Sequence, residues 1–382
     1  MNQQAPYKLK DLVLYFLKLG TAGFGGPVAL AGYMHRDLVE EKRWVSEADY
    51  KEGLALAQLA PGPLAAQLGI YMGYVHYRVL GATLVGIAFV LPSFLMVLLL
   101  GYFYVQNGGL PWMQAAFYGI GAAVIGIITM SSYKLISKTI KRDLLLWSIF
   151  GISAVITVLR EEENLWLMLA AGVLVWFTKA PPGSVKRIKK AMLPAAVLQV
   201  TGNVAANSKL TSMAWFFLKA GAFVFGSGLA IVPFLYGGVV KEYQWLTNNQ
   251  FMDAVAVAMI TPGPVVITVG FIGYLTAGIN GACVAALATF LPCYFFTILP
   301  APYFKKYGKR PGIQAFVEGV TVAAIGAIAG AVIVLAKRQL TDLTSVLIAI
   351  VVILLLIRFK KLPEPLIILG AAVAGLMIRY WS

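Results

Sequence analysis

An all-α protein that crosses a membrane many times, built from two inverted-topology repeats, is the fold this sequence predicts. Three observations predict it. The 382 residues are 60 % hydrophobic and 12 % charged, against about 45–50 % and about 25 % in a soluble domain. The chain aligns with itself at an offset of 201 residues, falling to 200 further on. Pro-Gly-Pro occurs at 61–63 and again at 262–264, at matching places in the two copies.

The membrane reading comes first. Stretches such as Ala82–Tyr104 and Gly312–Ala336 carry almost no charge, and crossing a bilayer takes about 20 apolar residues. There are too many such stretches, and too little polar sequence to cover them, for a soluble core. The net charge of +15 lies in short clusters between apolar segments. That is the pattern of cytoplasmic loops beside anionic lipid, not of a nucleic-acid surface. The expected partners are therefore the lipid bilayer and a small solute, with no nucleic acid; a homodimer is compatible with the sequence. Cys283 and Cys293 fall ten residues apart in one expected helix, about 15 Å along its axis, and cannot pair. No zinc or haem spacing occurs, so neither metal nor cofactor is expected. The N-terminus lacks the pattern of a signal peptide.

The repeat runs through each half. Phe16-Leu17-Lys18-x-Gly20 matches Phe217-Leu218-Lys219-x-Gly221, Trp44 matches Trp245, and Glu52 matches Asp253. Further on, Gly73-Tyr74 matches Gly273-Tyr274, Leu91-Pro92 matches Leu291-Pro292, and Gly119 and Gly126 match Gly319 and Gly326. The halves are residues 1–180 and 211–382, joined by a basic, cytoplasmic linker at 181–210 that holds Lys186, Arg187, Lys189 and Lys190.

Each half offers about five crossings: 10–32, 80–104, 113–134, 143–160 and 164–179, then 211–235, 281–299, 313–336, 342–357 and 362–380. Segments 50–78 and 250–280, each split by Pro-Gly-Pro, read as re-entrant hairpins that return to their starting side. An odd number of crossings makes the halves antiparallel. Loop charges agree: 300–311 carries Lys305, Lys306, Lys309 and Arg310, whereas its repeat partner 105–112 carries no Lys or Arg. This arrangement places both termini outside. In the rival arrangement the split segments cross fully, and a further crossing is needed at 191–206.

The breaks are the candidate site. Irregular backbone survives in hydrocarbon only where it faces protein or a wet cavity. The prolines interrupt helical hydrogen bonding, and glycine supplies the tight turn. After Pro61, Gly62 and Pro63, the free N–H groups of Leu64, Ala65 and Ala66 make an anion site backed by the helix dipole. Val265, Val266 and Ile267 repeat it after Pro262, Gly263 and Pro264. Gln58, Gln67, Thr261 and Thr268 add polar side chains nearby. A second interruption, Gly23-Phe24-Gly25-Gly26-Pro27, recurs as Phe225-Gly226-Ser227-Gly228. It is either close helix packing by small residues or a second unwound strip facing the breaks.

Lys18 and Lys219 are charges inside apolar segments, which are functional candidates by default, although snorkelling to the interface is an alternative. Cations beside helix N-termini point to an anionic substrate. Glu52 and Asp253 are either proton carriers or solvated helix-start acids. Trp44 and Trp245 read as interfacial anchors, and His35 and His76 as surface residues.

Phe24-Gly25-Gly26-Pro27, then Trp44, then Pro61-Gly62-Pro63, with the whole unit doubled, resembles the chromate ion transporter family. The resemblance covers nearly the entire chain. It implies a two-domain secondary transporter in a bacterial inner membrane that exports chromate and confers chromate resistance. It also implies coupling to the proton motive force, or anion exchange, with sulfate as the structural analogue. The second copy departs from the pattern, with Ser227-Gly228 in place of Gly26-Pro27. The residues themselves lead to a small anion and no further. An anion channel with the same donors is the competing class. An intramembrane enzyme would need paired acids, histidines or a metal set that the apolar segments do not offer.

Overall fold

The structure, a computed structural model, describes residues 6–23, 26–107, 111–140, 143–160, 165–181, 209–222, 231–307, 310–359 and 364–381. Its regular elements are helical, and no strand occurs among the described residues.

The chain opens with α1 (Leu9–Ala22) and α2 (Gly26–Met34), which runs into a π-helical turn, His35–Glu41. Residues 10–32, expected to cross, fold back instead. The Tyr15 hydroxyl donates to Asp37 at 3.0 Å, and the Tyr7 ring stacks on Trp44 at 4.8 Å. The far ends of the two limbs therefore meet. The physical reason is length: the 14 residues of α1 rise only about 21 Å, short of a hydrocarbon core about 30 Å thick. The second copy repeats the device with α8 (Lys209–Ala222), α9 (Ile231–Tyr236) and a π-helical turn, Gly237–Glu242. Phe216 lies 5.5 Å from Phe234 and 5.7 Å from Trp245.

The split segments are re-entrant, as expected. In the first, α3 (Glu47–Leu59) starts at Ser46, whose hydroxyl accepts the Asp49 N–H at 3.1 Å. It leads through the Pro-Gly-Pro turn into α4 (Leu64–Asn107). Gly53 of α3 sits against Tyr71 and Met72 of α4, so the limbs run back along each other. At Arg78 (φ 53°, ψ −140°) α4 turns again, and its second limb crosses. In the second copy α10 (Asn248–Ile260) leads through a 3-10 turn, Val265–Ile267, into α11 (Thr268–Ile298), which turns at Gly278 (φ 60°, ψ −152°). Both turns are drawn tight by glycine: a side chain at Gly73 or Gly273 would strike the carbonyl of Gly81 or Gly281 at 2.4 Å.

The remaining helices are α5 (Pro111–Thr139), α6 (Leu144–Arg160) and α7 (Leu165–Lys179), then α12 (Ala301–Tyr307), α13 (Pro311–Gln339), α14 (Leu343–Arg358) and α15 (Glu364–Trp381). Among the described residues four stretches are long and apolar enough to cross: Leu64–Asn107, Trp112–Lys134, Thr268–Phe304 and Pro311–Gln339. Leu144–Arg160, Trp166–Lys179, Leu343–Arg358 and Pro365–Ile378 are shorter apolar helices. On α4, Ile87, Leu91, Leu95 and Leu99 are all exposed at helical spacing, an apolar stripe of the kind lipid covers.

The halves are inverted with respect to each other. Thr83, near the start of the second limb of α4, shares a 2.6 Å hydrogen bond with Tyr294, near the end of the matching limb of α11. Ile87, Val90 and Phe94 line one groove with Cys283, Leu287 and Phe290. The two equivalent limbs therefore run antiparallel. The later helices then interlock across the copies. A Cβ at Gly119 of α5 would lie 2.0 Å from the Ala371 carbonyl of α15, and one at Gly319 of α13 would lie 2.4 Å from the Ala171 carbonyl of α7. Small residues let such helices touch backbone to backbone.

Inversion sorts the surface charges. Lys8, Arg36, Lys42 and Arg78 share the face where Tyr7 meets His76 and Trp44. The N-terminal end of α1 thus lies with the loop 33–52, not opposite it as loop charges had suggested. The fold-back of α1 on α2 is the reason. On this same face Lys179 bridges Asp143 at 2.7 Å and Glu318 at 2.9 Å. At the other end of α13, Gln339 shares a cavity with Tyr118 and Asp253. Lys209 lies at that second end, donating to the Thr276 carbonyl at 2.9 Å. The expected linker falls almost wholly outside the described residues, and its flanks, Ala180 and Lys209, sit at opposite ends of the molecule.

The turn at Gly278 supports a clean test. Its φ is positive, and a Cβ there would meet nothing within 4 Å, so any penalty is backbone strain alone. Gly278→Val is expected to lower thermal stability in detergent by about 1–3 kcal/mol. Gly32→Ala, in helical α2 and equally open, is expected to raise it by about 0.5–1 kcal/mol. Melting midpoints of the two variants check the contrast.

Candidate functional site

The two breaks are built alike and covered differently. Gly62 has φ 141° and Gly263 φ 92°, conformations that favour glycine. Pro63 stands just before α4, and its carbonyl accepts the Gln67 N–H at 3.0 Å. Leu64, Ala65 and Ala66 then open the helix, where N–H groups have no partner inside it. At the second break the start is tighter. The Pro264 carbonyl takes the Ile267 N–H at 2.9 Å in a 3-10 turn. That leaves Val265 and Val266 as the open donors; Ile267, expected to be a third, is already used.

Each break rests against the opposite copy. The Gly263 N–H donates to the Gly23 carbonyl at the end of α1, 3.0 Å away. Ser93 of α4 donates to the Pro262 carbonyl at 2.7 Å, and its hydroxyl lies 3.3 Å from the Gly20 carbonyl. Gly62 lies against Cys293 of α11, which is fully buried. Ser93 and Cys293 are repeat equivalents, so each covering helix presents the same position to the other copy's break. Sequence reasoning missed this pair. Its signal was present as Leu91-Pro92-Ser93 and Leu291-Pro292-Cys293, a small polar residue after a matched Leu-Pro. Among the described residues no hydrogen bond joins one break to the other. The structure forms two related half-sites, each between a break and the opposite copy.

A cavity of about 930 Å³ opens between α1 and the α2 limb and reaches Gly23. Its walls carry Lys18, Arg36 and Lys42 beside Asp11, Asp37 and Glu41. Arg36 is held by Asp37 at 2.8 Å and reaches Glu41 at 3.5 Å, and Lys42 lies over the Trp44 ring at 4.8 Å. Lys18 is exposed on this wall, and among the described residues it forms no ion pair. The cavity therefore runs past a free cation to the carbonyl that anchors the second break. Lys219 is half-buried with its ammonium 5.9 Å from the Trp215 ring. Neither lysine is hydrogen-bonded to a break. Gly26 opens α2; Gly25, Gly226, Ser227 and Gly228 lie outside the described residues.

The paired acids differ in their surroundings. Glu52 is hydrogen-bonded to Tyr71 of its own copy. Asp253 accepts a 2.6 Å bond from Tyr104 of the other copy. Asp253 also lines a cavity of about 470 Å³ with Gln114, Tyr118, Gln250 and Gln339. His35 bonds Glu47 and His76 bonds Tyr7 near the first face. Among the described residues no group of three or more potential metal ligands occurs.

Fold and site together define an inverted-repeat membrane transporter whose broken hairpins are sealed by the opposite copy. The chain belongs to the chromate transporter family: the model of that family matches residues 10–176 and again 211–376. It is 67 % identical over 379 residues to a chromate transport protein of Cupriavidus metallidurans, covering 97 % of this chain and 93 % of the relative. It is 61 % identical over 381 residues to a probable chromate transport protein of Synechococcus elongatus, covering 98 % and 96 %. An uncharacterized transporter of Bacillus subtilis is 28 % identical over 172 residues; that alignment takes 43 % of this chain but 94 % of the relative. No solved structure matches.

Ser93 supports a stability test of the half-site. Ser93→Ala removes a buried donor from the Pro262 carbonyl and is expected to lower stability by about 1–3 kcal/mol. Ser93→Cys installs the residue the second copy uses at the equivalent place, and is expected to lose less. Thermal midpoints and residual transport of both variants check this.

Proposed function

We propose that this chain is a secondary active transporter that exports chromate across a bacterial inner membrane, with sulfate as the structural analogue. The observation that carries the reading is the second half-site: a cavity open at the basic face passes Lys18 and ends at Gly23, whose carbonyl holds Gly263. Helix N-termini and an intramembrane cation suit a small anion, and the names of the close relatives supply chromate. Both breaks are buried beneath the opposite copy, an arrangement that favours a carrier over a channel. The Lys/Arg-rich face of α1 and the 33–52 loop is the cytoplasmic side. The halves 1–180 and 211–382 are the two units that move against each other.

Coupling to the proton motive force is assigned to the acids. Asp253 opens to the far face and carries a single hydroxyl partner, as a proton carrier requires; Glu52 is its counterpart on the cytoplasmic side.

Flux in liposomes tests the reading. The Lys18→Ala, Lys219→Ala double variant is expected to lose chromate flux by at least about tenfold, the loss of one charge-assisted contact. Undiminished flux in a folded double variant overturns the assignment of the lysines. Asp253→Asn is expected to abolish the acceleration that a proton gradient gives, while chromate–chromate exchange persists. In a chromate-sensitive host, wild-type protein is expected to lower intracellular chromate and confer resistance.

A further inference from the structure

The tyrosines bonded to the paired acids are exchanged between the copies. Glu52 is hydrogen-bonded to Tyr71, in the other limb of its own hairpin. Asp253 instead accepts its 2.6 Å bond from Tyr104, near the end of the opposite copy's crossing limb. At the 200-residue offset the counterpart of Tyr71 is Phe271, and the counterpart of Tyr104 is Phe304. Both phenylalanines sit where the repeat puts them. The Phe271 ring lies 5.5 Å from Tyr104. Phe304 packs into the same core cluster as Tyr71, on α12, which lies against α3. Each hairpin therefore has one ring from its own copy and one from the other. The hydroxyl is on the home ring at Glu52 and on the foreign ring at Asp253.

Tyr104 is fixed in place by Phe117 of α5, 5.9 Å away, and by Phe271 of α11. With Asp253 it lines the cavity of about 470 Å³ at the second end of the molecule. Tyr118, the other ionisable group on that wall, is turned to Asp342 at 2.5 Å. Arg338 is turned to the Tyr236 hydroxyl at 2.8 Å, and Lys241 and Glu242 end the π-helical turn that packs on α10. A carboxylate holds a hydroxyl about tenfold more tightly, as an equilibrium, than a carboxylic acid does. The Tyr104 bond spans the two copies, so it exists only while α10 rests on α4. Asp253 therefore binds a proton more weakly with Tyr104 in place and more tightly once α10 and α4 part. By linkage, a proton on Asp253 favours the parted arrangement. Tyr71 travels with Glu52 and bonds it alike however the copies sit, so that bond gives a proton on Glu52 no preference between arrangements.

We propose that Tyr104 is the positioning residue that converts protonation of Asp253 into movement of one copy against the other, a role that Tyr71 does not take at Glu52. This inference rests on the assignment of proton coupling to Asp253 above, and it names the group through which the proton acts. Two exchanged hydroxyls make the difference: a tyrosine where the other copy has phenylalanine, once at 71 and once at 104.

Flux of labelled chromate through the full-length protein in liposomes tests this, measured with a proton gradient and as chromate–chromate exchange at equal pH. Tyr104→Phe keeps the ring and removes the hydroxyl. It is expected to remove the acceleration given by the gradient while exchange stays within about fivefold of wild type, the loss of one neutral hydrogen bond. Tyr71→Phe is expected to keep the acceleration. Phe271→Tyr offers Asp253 a hydroxyl from its own copy, as Tyr71 does for Glu52, and is expected to blunt the acceleration with Tyr104 untouched. Full acceleration in Tyr104→Phe overturns the inference. So does an equal loss of acceleration and exchange, which marks a structural role alone, or a loss in Tyr71→Phe as large as in Tyr104→Phe. If Tyr104→Phe does not fold, Phe271→Tyr decides: undiminished acceleration there overturns the inference. A wild-type protein that carries chromate without response to the gradient overturns the assignment of coupling to Asp253, and one that carries no chromate overturns the transport reading itself.

Discussion

Backbone amides without partners are the constraint on which this structure depends. Hydrocarbon offers no water to satisfy them, so a helix can be broken inside a membrane only under a cover of protein. The chain breaks its helices at two Pro-Gly-Pro turns and supplies the cover from the opposite copy. Gly263 bonds to Gly23, Ser93 bonds to the Pro262 carbonyl, and Cys293 lies on Gly62. The first break is bonded within its own copy as well, by Gln67 to the Pro61 carbonyl at 2.7 Å. Inversion suits the same need: the second break meets the first copy's opening hairpin at Gly23 and its crossing limb at Ser93, and the first break meets the second copy's crossing limb at Cys293.

The cover also suits transport. A break that is bonded and buried as it is here would be exposed only if the cover moved away, as the proposed carrier requires. Movement of one copy against the other changes both half-sites at once, since each is made from both copies. The copies are nevertheless not interchangeable. Gln67 has Thr268 as its counterpart at the 201-residue offset, and Glu52 bonds within its own copy while Asp253 bonds to the other.

Much of this was legible in the residues. Duplication and the hairpin form of the split segments followed from matched motifs, because proline and glycine act locally on the backbone; the inversion was expected from five crossings per half, a count from which the fold-back of 10–32 removes one. The fold-back of α1 on α2 was not legible. Residues 10–32 have the length and apolarity of a crossing, and the interruption at 23–27 read equally as close packing or as a second unwound strip within that crossing; only the meeting of Tyr7 with Trp44 and of Tyr15 with Asp37 shows the reversal. The error propagated into the placement of the N-terminal end of α1. Lys18 was found from its anomaly, a charge in an apolar run, but its cavity was not, because the wall opposite comes from a turn twenty residues on. Ser93 and Cys293 were overlooked because serine and cysteine are unremarkable in a membrane helix until a partner carbonyl is placed beside them.

The interlocking of the later helices has a consequence for how the protein is made. Gly119 and Gly126 on α5 find their closest neighbours at Ala371 on α15 and Ala349 on α14, about 220–250 residues further along the chain. At about 5–20 residues per second of synthesis, the first copy waits roughly 10–50 seconds in the bilayer before the helices that complete it emerge. During that interval its glycine-lined surfaces are bare, and its break lacks the Cys293 cover. Maturation is thus gated by the last helices to be inserted, and a ribosome that stalls late leaves a first copy that is threaded but unfinished.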